Sequence, residues 1–166
     1  PAIITAGMST DIPLASNAQV PTFQIQNRPV PQGEPEPQSS VYMASENYFR
    51  TLGIPLLQGR TFDKTDHAQA PQVVIINQTL ARQHWPDEEP LGKRILLSGM
   101  PGGWRTIVGV VGDVKDKGLK DQAGAASYVP MLQAPVYQIQ LFVQTTTPPM
   151  QVVPDIRSIV RSLDSE

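Results

Sequence analysis

Residues 71–97 read PQVVIINQTLARQHWPDEEPLGKRILL, and this stretch decides the fold. Residues 72–76 form a short β-branched apolar run of strand type, Asn77 is a residue type that caps helices well, and 79–85 continues with helical spacing. Leu80, Ala81, His84 and Trp85 share one helical face, and Pro86, which lacks a backbone N–H, ends the helix. An acidic loop, 87–89, then leads through Pro90, Leu91 and Gly92 to a second apolar run at 95–97. The spacing predicts a strand, helix, loop, strand unit, with Trp85 turned inward against the run that holds Gly109 and Gly112.

The rest of the chain is punctuated in the same way. Residues 2–6 are of strand type, and 7–18 read as a polar, turn-rich connection. Phe23 and Ile25 alternate with polar neighbours, which predicts a half-buried strand. Residues 27–40 carry prolines at 29, 31, 35 and 37 and predict an exposed loop; a docking peptide is disfavoured because Pro-x-x-Pro is absent. Residues 41–43 lead into a helix capped by Ser45, with Glu46 in its first turn, Tyr48, Phe49 and Leu52 on its apolar face, and Gly53 as its stop. The run 104–114 suits a strand buried on both faces, and its two glycines mark close backbone approach or a bulge. Residues 99–103 carry a hairpin signal, and 115–124 form a charged loop. In 138–145, Ile139, Leu141 and Val143 are expected to face inward and the glutamines outward. A last helix, starting at Pro149 or Met150, carries Val152, Val153, Ile156, Ile159, Val160 and Leu163 on one side. That stripe is expected to pack on the apolar face of 138–145, with 2–6 joining the same sheet.

Composition narrows the function classes. A chain of 166 residues suits one domain with its own core, and its 17 prolines and 12 glycines argue for strands and loops over a helical bundle. With no cysteine, a disulfide framework and thiolate metal sites are excluded. The net charge of -2 gives no basic field, so nucleic acid is not an expected partner. No apolar run reaches the ~18 residues that span a bilayer, and the opening at Pro1 has neither a basic n-region nor a long apolar segment. It reads as part of a longer protein.

Three blocks carry a family resemblance. The first is Asn77, Ala81, Arg82, Trp85, Pro86, Pro90, Leu91, Gly92, Lys93, Arg94 and Ile95; the second is Tyr48, Phe49, Gly53, Ile54, Pro55, Leu56, Gly59, Arg60, Phe62 and Asp66. The third runs through 104–114 to Tyr128 and Pro130, with Ala126 standing where Pro-Glu is frequent, and Leu163-Asp164 resembles a Leu-Asp-Pro that leads to a further strand. In order and spacing these resemble the extracytoplasmic core domain of MacB-like, FtsX-like ABC-transporter permeases, of the type that carries the domain twice. The resemblance implies an α+β fold: a porter-like α/β lobe from both termini, about 1–40 and 131–166, and an inserted, mostly β lobe, about 41–130. It also implies a non-catalytic periplasmic or extracellular domain of a membrane protein. Such a domain passes conformational change between membrane helices and outside partners or cargo. The implied partners are the flanking transmembrane helices, a separate cytoplasmic ATPase subunit, and a permease dimer or an adaptor protein.

The residues themselves offer no chemistry that competes. His67 and His84 are far apart in sequence and lack the clustered ligands of a zinc site. No Gly-x-Ser-x-Gly elbow is present, and Gly92-Lys93 lacks the earlier glycine and following hydroxyl of a phosphate loop. Arg60 and Asp66 are placed to pin a loop, Asp113 to bond backbone N–H groups, and Asn77, although in an Asn-Gln-Thr sequon, to cap a helix. No catalytic, cofactor-binding or metal residue is assigned, and no cofactor is expected. The alternative is a small-ligand or peptide-binding periplasmic module, which requires a pocket of convergent groups.

Overall fold

The computed structural model describes residues 2–12, 19–114 and 123–163. In chain order these form β1 (Ile3–Ser9), β2 (Phe23–Ile25), β3 (Ser40–Ala44), α1 (Tyr48–Thr51), β4 (Leu56–Gly59), β5 (Val73–Asn77), α2 (Gln78–His84), β6 (Arg94–Leu97), β7 (Arg105–Val111), β8 (Ala126–Pro130), a 3-10 turn (Met131–Gln133), β9 (Gln140–Thr145) and α3 (Pro149–Leu163). The fold is α+β. One mixed sheet runs β2-β6-β7-β5-β8-β3-β1-β9, with β4 added on β7. The β3–β8 and β5–β7 pairs are parallel and the others antiparallel.

Strand β5 explains why an unbroken apolar run sits at the centre. Every one of its residues is buried, and alternate side chains serve opposite layers. Val74 and Ile76 join Phe23, Leu80, Trp85, Ile95, Leu97 and Ile107 on one side of the sheet. Val73 and Ile75 join Tyr42, Tyr48, Phe49, Phe62 and Tyr128 on the other. Burial on both faces removes the polar alternation that a half-wet strand shows. Trp85, 4% exposed, packs in the first layer with Val110 of β7, so its expected inward placement holds.

Both features expected of the glycines in β7 are present. The register with β5 steps from Val74↔Ile107 to Ile75↔Gly109, leaving Val108 as an extra residue in β7. This bulge puts Ile107 and Val110, three apart, into the same apolar layer. A Cβ on Gly109 would stand 2.2 Å from the Arg60 carbonyl oxygen, so the chain after β4 crosses where a side chain would be.

Asn77 links three elements. Its Oδ1 accepts the Leu80 N–H, capping α2, and also the Ala126 N–H of β8, each at 3.0 Å. Its Nδ2 donates to the Gly124 carbonyl at 2.8 Å. The side chain is buried, so the residue is a cap and a clamp rather than a displayed sequon. Asp113 bonds backbone as expected, on α2: the Thr79 N–H and hydroxyl donate to its two carboxylate oxygens, both at 2.9 Å.

Several expectations are corrected. Strand β1 continues through Ser9, so 7–9 belong to the sheet and not to a connection; 13–18 and most of the charged loop, 115–122, lie outside the described residues. Ser45 does not cap α1, a single turn after Asn47; its hydroxyl accepts the Met8 N–H at 2.8 Å and ties the turn to β1. Strand β4 was not expected, because all four of its residues are exposed and give no alternation.

The largest correction concerns β9 and α3. The 2–6 region does join β9, in a ladder from Ile3↔Thr145 to Ser9↔Gln140. The expected face is only partly covered: Val143 is half-buried, but Leu141 is 47% and Ile139, just before the strand, 51% exposed, while Phe142 on the other face is half-buried and packs edge-on to Tyr48. The cause is Gly7, opposite Phe142, where a Cβ would come within 2.8 Å of the Tyr48 Cα; α1 closes on this bare backbone and selects that face. Helix α3 spans the expected residues, but no element packs along its length. Of its stripe Val152 is buried, whereas Ile159 and Val160 are more than half exposed.

Replacing Asn77 with alanine strands the Leu80 and Ala126 N–H groups and the Gly124 carbonyl. The expected loss is about 2–3 kcal/mol, a helix cap together with buried unpaired groups. Urea denaturation of the Asn77→Ala chain measures it, and an unchanged midpoint contradicts the clamp.

Candidate functional site

The site that the fold builds is a groove of about 610 Å³ where β1 and β9 meet the rest of the sheet. Met8 of β1 and Ile139, just before β9, form one wall, and Met131, Leu132, Ala134 and Val136 form the other. Glu46, Asp63 and Lys64 stand at its polar rim. The lining is apolar and adaptable, because two of its side chains, Met8 and Met131, are unbranched thioethers. On the strap between β8 and β9, Leu132 is 66% exposed and Tyr137 has almost no cover.

The rim is held by the Arg60–Asp66 pair. Arg60 donates to Asp66 through both arms, Nη1 to Oδ2 at 2.7 Å and Nη2 to Oδ1 at 2.8 Å, and Asp66 is nearly fully buried. Asp66 Oδ2 also accepts the Asp63 N–H at 3.0 Å. The fork geometry gives a half-exposed arginine a fixed direction. It also holds the backbone that presents Asp63 and Lys64. Asp63 accepts hydrogen bonds from the Thr65 hydroxyl and N–H, which keep its carboxyl below the usual carboxylate range.

Behind the strap lies a polar node that the sequence did not announce. Gln133 Oε1 accepts the Val73 N–H at 3.1 Å, and its Nε2 donates to the Pro71 and His67 carbonyls. Arg105 is fully buried beside it and donates to the Pro101 carbonyl at 2.6 Å; burial lowers its pKa. This node fixes where the strap begins. A glutamine after Tyr-x-Pro and an arginine heading an apolar strand carry no pattern that singles them out.

The two histidines stay apart. His67 lies in the 63–70 turns, where its Nδ1 accepts the Gln69 N–H, and His84 ends α2 edge-on to Phe23, with burial and the neighbouring Arg28 lowering its pKa. Among the described residues no three His, Cys, Asp or Glu side chains converge. Gly92 and Lys93 precede a strand, so no helix N-terminus follows them. Among the described residues no helix is long and apolar enough to cross a membrane.

A family model for the MacB-like periplasmic core domain matches residues 4–160. The chain belongs to this family. Macrolide export ATP-binding/permease protein MacB of Neisseria gonorrhoeae is 38% identical over 73 residues, 44% of this chain and 11% of that protein. The uncharacterized ABC transporter permease YvrN of Bacillus subtilis is 31% identical over 96 residues, 57% of this chain and 22% of YvrN. The chain thus corresponds to a small part of these MacB-like relatives. The periplasmic region of MacB from Actinobacillus actinomycetemcomitans shares the fold with a TM-score of 0.67 at 18% identity, covering 99% of this chain and 69% of that one. The extracellular domain of the transporter YknZ from Gram-positive bacteria gives 0.59 at 18% identity, over 91% of this chain and 69% of that one.

Removing the Asp66 carboxylate leaves the Asp63 N–H unpaired and frees Arg60. Asp66→Ala is expected to cost about 1–3 kcal/mol, the range for a buried group losing its partners. Faster hydrogen exchange at the Asp63 amide, with β5 amides unaffected under native conditions, is the local signature.

Proposed function

We propose that this chain is a non-catalytic extracytoplasmic domain of an ABC-transporter permease. It transmits conformational change between flanking membrane helices and periplasmic or extracellular partners or cargo, and a separate cytoplasmic ATPase subunit drives the cycle. A permease dimer or an adaptor protein is the partner outside the membrane. The observation that carries this reading is the placement of both ends of the chain. The first strand, β1, pairs with β9, which leads directly into the last helix, and the Thr146 N–H donates to the Ala2 carbonyl at 2.9 Å.

The chain then has two mechanical parts. The base consists of β1, β9 and α3; the body holds the other strands, including β2, whose pairing with β6 moves 23–25 out of the terminal lobe. Base and body share one ladder pair, Ser9↔Ala44, hydrogen bonds from the Thr10 N–H to the Met43 carbonyl, from the Ser45 N–H to the Met8 carbonyl and from the Met8 N–H to the Ser45 hydroxyl, and the seat of α1 on both β1 and β9. In this reading the base pivots at that seam on a body whose apolar layers stay intact. A second reading, a small-ligand or peptide-binding module, is favoured by the apolar groove beside the junction.

Cysteines at positions 9 and 44, in a chain that has none of its own, allow the junction to be locked. In the intact permease the oxidised Ser9→Cys/Ala44→Cys variant is expected to lose transport while ATP hydrolysis continues, and reduction restores it. Full transport with the disulfide closed contradicts transmission through this junction. Loss of transport on Leu132→Arg, with the locked junction harmless, favours the binding module.

A further inference from the structure

At the opposite end of the sheet from the base, a second cavity of about 350 Å³ lies between the end of β2 and the start of β6. Its charged lining is Arg28, Lys93 and Arg94, and its back wall is Trp85. One carboxylate faces these cations. Glu88 takes Arg28 Nη2 on Oε1 at 3.2 Å and Lys93 Nζ on Oε2 at 2.9 Å. The hydrogen bond from Lys93, its charge and that of Arg28 hold the Glu88 carboxyl below the usual range. Glu88 and its loop neighbours Asp87 and Glu89 do not themselves line the cavity; Glu88 reaches it only through the two cations it bridges.

Two features are left over. Three cations against one carboxylate leave a local charge of about +2 on a chain whose net charge is -2. The Trp85 indole Nε1–H is buried without an acceptor, under an Arg28 guanidinium 6.0 Å from the ring centroid. A buried donor without a partner is destabilising, so it is not a neutral feature of a core tryptophan. The cavity volume falls in the range of about 300–1,000 Å³ typical of small-ligand sites.

We propose that this cavity binds a soluble dianionic oxyanion of phosphate type, which replaces the Glu88 carboxylate between Arg28 and Lys93, engages Arg94, and gives the Trp85 N–H its acceptor. Glu88 marks the position, because its two oxygens already bridge both cations, and its half-exposed side chain is free to swing out. With Glu88 swung out, the dianion faces three cations and leaves a local charge of about +1. The forked guanidinium of Arg28 and the point charge of Lys93 suit such an oxyanion. The ligand is soluble and not a membrane headgroup, because the cavity lies seven strand spacings from β9, about 34 Å along the sheet at ~4.8 Å per step. The site shares no residue with the groove or the junction; its assignment to a soluble ligand rests on the proposed placement of the membrane at the base.

Calorimetric titration of the 166-residue chain with inorganic phosphate, against sodium chloride at matched ionic strength, tests this. Phosphate is expected to bind with the Trp85 indole N–H resonance moving downfield, and chloride to do neither. Glu88→Gln removes the internal competitor and tightens binding. Arg94→Gln and Trp85→Phe, the latter keeping the ring and deleting the N–H, each weaken it by about tenfold, the loss of one charge-assisted hydrogen bond. An equal response to chloride, or an affinity unchanged in Arg94→Gln and tightened by nothing in Glu88→Gln, overturns the site. Binding to phosphatidylglycerol vesicles without binding of free phosphate overturns its assignment to a soluble ligand.

Discussion

The carboxamide of Asn77 is the contact on which the body of the domain depends. It sits where the central strand ends, and its three hydrogen bonds reach α2, β8 and the segment entering β8. A buried amide with every group satisfied specifies one arrangement, because any slip of β8 or tilt of α2 strands a donor or an acceptor in an apolar layer. Asp113 repeats the logic from the end of β7, holding the first turn of α2 from the other side. Two strand ends thereby position a helix only seven residues long, too short to be stable alone. Trp85, the residue that closes that helix, inherits its position from this pair of anchors.

A second constraint is steric. At Gly7 and Gly109 backbone from another element occupies the space a Cβ would take, which brings α1 onto β1 and the chain after β4 onto β7. These approaches set which face of each strand is covered, and they override side-chain alternation where the two disagree. In and just before β9, Ile139, Leu141 and Val143 alternate as an inward face should, yet Ile139 and Leu141 are exposed and α1 covers Phe142 on the other face. The glycine that decides this lies on the neighbouring strand, more than a hundred residues away.

This difference separates what was legible in the sequence from what was not. The 72–85 unit, the Asn77 cap, the β2 alternation, the Gly53 stop and the Arg60–Asp66 pair were readable, because each rests on residues a few positions apart. The face of β9, the role of Ser45 and the existence of β4 were not, since each is fixed by a partner distant in the chain. The Arg105–Gln133 node and the cations around Trp85 were hidden for a related reason. Arg28, Trp85 and the 92–94 stretch meet because β2 pairs with β6, and nothing local to any of them records that pairing.

Apolar side chains are distributed unevenly along the sheet, and this bears on which part moves. In the body most large apolar side chains are buried in one of the two layers, Leu56 and Leu57 of β4 excepted. In the base Ile4, Leu141, Ile159 and Val160 are each about half exposed. Local stability follows buried apolar contact, so the base occupies the low end of the stability scale and the body the high end. Under the proposed transmission role, a rigid body carried on such a base would shift as a unit when the base is displaced, because packed layers are bistable rather than continuously deformable. The groove opens where these two regimes meet, and its methionine lining is able to repack as its walls change separation.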